Sequence, residues 1–444
     1  MSVTTEHDSY LLAFERVLER TRAVEPASLQ RLRHAAMDRF LAVGFPSRRD
    51  EEWRHTSVAP IVETPFAAAP EPPETTALAD LRPYVVDGTF LAVLVDGHFV
   101  PALSTAGNLP DGVVVGSLAA ALRESPGLVM ERLGSLAGGG GHAFTALNTA
   151  LFCDGAFVHV PRGVTLARPI QILVLGGGGA SPTAAFPRVL IVAEEGAEAT
   201  VIETYASLGR GVHLCCPTRE IVAGQGARLD HYVMQLENEA AFHVSTQQVR
   251  LDRDASFTSH AFTFGGGLVR NDVNATLAGE GASLVLNGLY YVTGSSHVDT
   301  HMVVEHAAPH GESHELYKGV LDGRASAVFS GLIHVHPGAQ KTNAKQSNRN
   351  LLLSREAIAN SNPQLRIFAD DVKCTHGSTV GQLDGDAIFY LRSRGIGRDE
   401  ARALLTRAFA GEMVERVKPP ALRAQLEALL AARLPVAGEV GEMG

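Results

Sequence analysis

Apolar positions along the chain fall into three textures. Leu11, Leu12, Phe14, Val17 and Leu18 recur at helical spacing, and Leu29, Leu32, Ala35, Ala36 and Phe40 do so again. That spacing predicts two helices in residues 1–45, the second stopped by Gly44 and Pro46. Short strands are expected at Phe90–Val95 and His98–Val100, joined at Asp96-Gly97, a dipeptide suited to a two-residue hairpin turn. From about 145 to 390 the runs Ile170–Leu175, Val189–Val192, Ala261–Phe264 and Ala387–Tyr390 alternate with Gly, Asn, Asp and Ser turns. Helical periodicity nearly vanishes there, which predicts an extended all-β region. So many strands in one unit fit a solenoid, whose coils bury their faces only against their neighbours. The fragments Asn287-Gly-Leu-Tyr-Tyr-Val, Lys318-Gly-Val-Leu-Asp-Gly and Ser330-Gly-Leu-Ile-His-Val resemble one another, although their spacing is uneven. Helices return at the end. Asp399 is expected to cap a segment with Leu404, Leu405, Ala408 and Val414 on one side, and Leu422, Leu426, Leu429 and Leu430 form a stripe after Pro419-Pro420.

Between these textures lie a polar stretch from Pro46 to His55 that holds the single tryptophan, a linker-like segment at 67–77, and a glycine run at 138–141. The divisions expected are 1–140, an N-terminal helical part with short strands; 141–392, the β-core; and 393–444, a C-terminal helical part. Glycine supplies 44 of the 444 residues, which favours turn-dense β architecture. The net charge of −10 argues against nucleic acid or an anionic membrane as partner, since both select clustered Lys and Arg. No run of about 18 uncharged apolar residues is present to span a bilayer. The first ten residues are polar and carry His7 and Asp8 where an export signal would be apolar. Cys153, Cys215, Cys216 and Cys374 are too sparse for a disulfide framework. A reduced, cytoplasmic compartment is the expectation.

The sharpest local chemistry is Asp370-Asp-Val-Lys-Cys-Thr-His-Gly377. On a strand, Cys374 and His376 share a face about 7 Å apart, close enough to serve one metal cluster with ligands from elsewhere. A small buried Cys beside a hydrogen-bonded His is the plainer alternative. Structural zinc sites use paired C-x-x-C or H-x-x-x-H units, and iron–sulfur clusters usually take four thiolates. No C-x-x-C exists here, so a cluster site would be incomplete within one chain. His297, His301, His306, His310 and His314 form a second group; strand parity puts His297, Asp299, His301 and Glu305 together, which is read as a solvated face. His334-Val-His336 has the H-x-H pattern of metal-dependent cupin barrels, but no glutamate follows within a few residues. The glycine runs at 138–141 and 176–179 lack the Lys-Ser or Lys-Thr of a phosphate loop, and no G-x-S-x-G elbow points to a hydrolase serine. Two enzyme readings compete, a β-helix carbohydrate lyase or hydrolase and a mononuclear metal enzyme on His334 and His336.

Longer segments carry a resemblance. His306-Ala-Ala-Pro-His, Glu315-Leu-Tyr-Lys-Gly, Ala339 to Ser354, Phe389 to Gly397, Glu52-Trp-Arg-His-Thr56 and Leu147-Asn-Thr-Ala-Leu-Phe152 look like segments of the SufB/SufD family of iron–sulfur cluster assembly scaffolds. Asp370 to Thr379 is similar to the SufD branch in particular. The resemblance implies a mainly β protein, a right-handed parallel β-helix flanked by N- and C-terminal helical domains. It implies a non-catalytic scaffold that pairs with a SufB-type sister, docks a SufC-type ABC ATPase through its C-terminal helices, and receives sulfur indirectly from a cysteine desulfurase. It implies His376 as a metal ligand for a transient iron–sulfur cluster, with Cys374 beside it in a less settled role. A homodimer and a flavin on the assembled complex stay open as additions.

Overall fold

The computed structural model describes residues 4–434 apart from 23–24, 69–80, 106, 138–141, 178 and 180. The expected boundary at 138–141 and most of the expected linker at 67–77 therefore lie outside the described residues.

Among the described residues the strands form two sheets, one of twelve strands and one of ten. Successive strands alternate between the sheets, and each pairs in parallel with the strand one coil earlier and one coil later. The first sheet ends at Ile358–Ile367 and the second at Lys373–Gly381. The result is a parallel β-solenoid of about eight coils, flanked by helices at both ends of the chain. Register is strict across neighbouring coils: Leu268, His297, Ser326 and Ile358 stand in one column, and Glu312, Asn343 and Lys373 in another.

The interior is packed chiefly by Val, Ile, Leu and Ala from both sheets, with Phe90, Phe257, Phe329, Tyr205, Tyr290 and Tyr317 among the larger side chains. Two of those tyrosines account for the glycines of two recurrent fragments. Gly288 lies beside Tyr317 and Gly319 beside Tyr290 in adjacent strands, and a Cβ on either glycine would overlap the neighbouring ring. The fragments are thus complementary, ring against gap, and sit out of register with one another. The third fragment, at Ser330, lies on the other sheet, which makes the spacing uneven.

The N-terminal segment joins the solenoid directly. Phe90–Val95 pairs in parallel with Ile170–Gly176 and turns back through Asp96 (φ 49°) and Gly97 (φ 84°) onto His98–Phe99. Positive φ at both central residues is what an Asp-Gly hairpin turn supplies. The expected helices form at Thr4–Thr21 and Ala27–Val43 and pack Phe14, Val17 and Phe40 on Leu147 of a third helix, Ala143–Leu151. The polar stretch around Trp53 is fixed by one buried cation. Arg270 bridges Asp272 (2.7 Å) and Asp299 (2.5 Å), donates to the Glu52 carbonyl, and lies under the Trp53 ring at 4.3 Å. Thr56 also hydrogen-bonds Asp299.

That arrangement corrects the solvated face expected for His297 to Glu305 at its first half, while Glu305 stays partly exposed. Asp299 is buried beneath the 52–56 segment, His297 bonds Thr56 and Ser326, and His306 is fully buried. Three further expectations at the C-terminus change. Ala387–Tyr390 belongs to a helix, Gly385–Ser393, because Asp384 caps it by accepting from the Asp386 amide. Gly397, not Asp399, is the N-cap of the helix Arg398–Val414. That helix buries Ala401, Thr406, Ala410, Met413 and Val414, whereas Leu404 faces outward. The final helix buries Leu422, Leu426 and Leu430 as expected, against Tyr232, Met234, Phe262 and Tyr291 on the outer face of the second sheet. Lys318 pins the pair of helices by an ion pair to Glu412 at 2.5 Å.

Two stability outcomes follow from this packing. Gly319→Ala forces a methyl into the Tyr290 ring and lowers unfolding free energy by about 1–3 kcal/mol, measured by urea denaturation. Arg270→Leu strands two buried carboxylates; a loss of about 3–5 kcal/mol is expected, together with a red shift of the lone tryptophan's fluorescence as Trp53 undocks.

Candidate functional site

Each inner coil of the solenoid is covered on both sides. The last is not. Lys373–Gly381 pairs along one edge with Asn343–Leu352, and among the described residues its other edge has no strand partner. Ile358–Ile367 ends the first sheet in the same way, with Pro363 in a position that offers no N–H, as suits an edge. Ile358, Ile367, Phe368 and Val380 are exposed on these terminal strands and the turn between them.

Cys374 and His376 both stand on the terminal strand, opposite Ala344 and Gln346 respectively. Strand alternation directs both toward the interior side of the coil. Cys374 is half-buried against Ile333, Val335, Ala339 and Ala344, and burial pushes its thiol up, so it is protonated at neutral pH. His376 is exposed, because no further coil closes over it.

Behind His376 runs a column of polar side chains that points along the interior. Glu315 and Gln346 occupy the same register position in the two preceding coils and are both buried. Gly331 on the facing sheet leaves the room that the Gln346 amide fills. The Ser313 hydroxyl and the Gln346 amide approach the Glu315 carboxyl, but no hydrogen bond of ordinary geometry joins them. Burial pushes the Glu315 carboxyl up to about 8, so it holds its proton at pH 7. Buried polar groups left unmatched are uncommon and concentrate where structure is held for a purpose other than stability.

Metal-ligating side chains come together in two places among the described residues, Cys215 with Glu237 and His243, and Glu305 with His334 and His336. Neither place includes Cys374 or His376. Cys215, Glu237 and His243 are sealed in the core, with Glu237 ion-paired to His243 at 2.7 Å and to His213 at 3.4 Å. Cys216 is buried, Cys153 partly so, and all four cysteines are free thiols. Of the histidine group, His310 turns at positive φ in an exposed loop and His314 is half-buried.

Residues 4–172 match the family model described as the SufBD protein N-terminal region, and residues 175–409 match that of the SUF system FeS cluster assembly SufBD core domain. The chain belongs to the SufBD family. An iron–sulfur cluster assembly SufBD family protein of Synechocystis is 33% identical over 424 residues, 92% of this chain and 92% of the relative. SufD of Escherichia coli, an iron–sulfur cluster assembly protein, is 33% identical over 404 residues, 90% of this chain and 92% of that protein. A chloroplastic protein of Arabidopsis thaliana is 29% identical over 429 residues, 94% and 89% of the two chains. Among SufBD proteins this chain is therefore of the SufD type. No described helix is long and apolar enough to cross a membrane.

Pattern along a SufBD chain marks Cys374 and His376 because they are two residues apart, and passes over Glu315 and Gln346 because their link to His376 crosses coils. The signal for them was present in strand parity, once the coil length is known. The unmatched Glu315 gives a pH test. Its folded carboxyl is raised above the ordinary 4.5, so its contribution favours folding at low pH and is lost as pH rises toward 8. Glu315→Gln is accordingly expected to be more stable than the parent, with the gap opening above pH 4.5 and levelling off above about 8 at a few kcal/mol. Chemical denaturation across pH 4.5 to 9 measures it; a constant gap would show that the carboxyl is ionised when folded.

Proposed function

We propose that this SufD-type chain is a non-catalytic scaffold for de novo iron–sulfur cluster assembly, and that it presents His376 to a nascent cluster at the seam with a SufB-type sister. The observation that carries this is the position of His376. It is exposed on a terminal strand whose outer edge has no strand partner among the described residues, while no third metal-ligating side chain of the described residues joins it and Cys374. A cluster there needs thiolates from a second protein. An open strand edge bordered by exposed Ile367, Phe368 and Val380 is suited to receive one by strand addition.

Neutral imidazole binds iron well and exchanges more readily than thiolate, so a completed cluster can leave. Cys374, protonated and half-buried, acts as support beside that ligand. A SufC-type ATPase docks on the C-terminal helices and carries out the ATP hydrolysis. The helix Gly385–Ser393, which buries none of its residues and exposes Phe389 (72%) and Tyr390 (57%), supports that docking. Sulfur comes from a cysteine desulfurase by way of the sister subunit, in a cytoplasmic setting. A flavin on the assembled complex, and a homodimer, are compatible additions.

Anaerobic co-expression with SufB-type and SufC-type partners provides the test. His376→Ala should leave the complex assembled on a pull-down and lower cluster yield, read by visible absorbance and iron and sulfide content, by about tenfold or more. An intact complex that builds clusters at normal yield would sink the assignment.

A further inference from the structure

The H-x-H pair His334-Val-His336 lacks a glutamate downstream in sequence, but the solenoid delivers one from the preceding coil. Glu305 stands directly opposite His334 in the adjacent strand. One ligand atom from each of Glu305, His334 and His336 lies within 4.8 Å of the other two. The two imidazoles stack at 4.3 Å with their planes 23° apart. His336 Nε2 is 3.7 Å from the Glu305 carboxylate, too far for a hydrogen bond, and this buried nitrogen has no other partner among the described residues. The Phe368 ring packs edge-on against His334 and walls one side.

We propose that Glu305, His334 and His336 form a binding site for one borderline divalent transition-metal ion of the ferrous-iron or zinc class. Two imidazoles and one carboxylate are the donor set such ions favour, and three protein ligands leave the remaining positions to water. Bonds of about 2.0–2.2 Å bring ligand atoms to about 3.3 Å from one another. Side-chain rotation of about an ångström closes the present gap without moving the strands. All three side chains are partly exposed, so the ion has access from solvent. Arg366 occupies the register position on the other flank of His334 and contributes a positive charge beside the ion. One carboxylate against that guanidinium makes for modest affinity and ready exchange, unlike a closed structural site. The site stands on these residues alone and does not depend on the role given to His376.

The test uses the full chain, stripped of metal and kept anaerobic, titrated with Co2+ as a spectroscopic probe and then with Zn2+ and Fe2+ as competitors. One Co2+ per chain is expected, with weak visible bands of nitrogen and oxygen ligation that both competitors displace. Glu305→Gln and His336→Ala should each weaken binding about tenfold or more, and His376→Ala should leave it unchanged. Arg366→Ala should tighten binding several-fold, a gain that misfolding cannot imitate. The proposal fails if Co2+ does not bind, if the Glu305 and His336 variants bind as tightly as the parent, or if His376→Ala abolishes binding. An intense near-ultraviolet thiolate band would put the ion on a cysteine and overturn it equally.

Discussion

A coil of a β-solenoid satisfies its backbone and its inner face only against the coils on either side. The inner coils here meet that condition through parallel ladders of six to ten residues. The final coil meets it on one side alone. Exposed apolar residues, open strand edges and the solvent-facing His376 are all products of that one shortfall. The site proposed for His376 therefore lies where repetition stops, and no special loop is needed to expose it.

The same architecture permits polar groups inside a protein that is otherwise closely packed. Arg270 with its two aspartates, and Arg219 with Glu203, are buried charges balanced by their partners. Removing one member of such a set costs far more than the set contributes net, so these pairs fix geometry more than they add stability. Arg270 fixes where the segment around Trp53 lies, and with it the helical N-terminal part. Glu315 and Gln346 differ in kind: they are buried beside each other with no opposite charge to balance the carboxyl, and they lead toward the open end.

Local pattern carried much of this in the sequence. The helices near the N-terminus, the Asp-Gly hairpin and the Leu422 to Leu430 stripe depend on contacts a few residues away, and their signals are correspondingly clear. The solenoid was legible as texture, and Cys374 and His376 as a pair within one strand. What was hidden is whatever crosses coils. Asp299 looked solvent-facing because a segment more than two hundred residues earlier covers it. His334 and His336 lacked a carboxylate because Glu305 is supplied by register, not by sequence neighbourhood. The Ala387–Tyr390 run was misread as strand because a four-residue apolar run has no period long enough to tell strand from helix.

The ring-and-gap fit of Tyr290 with Gly319 and of Tyr317 with Gly288 bears on how such a chain can change over time. Solenoids are often pictured as stacks of interchangeable modules that grow or shrink by duplication. Here two neighbouring modules are keyed to each other, so copying either one alone would set tyrosine against tyrosine and glycine against glycine. Duplication of a single module is consequently disfavoured at that pair of coils, a constraint that the open final coil does not share.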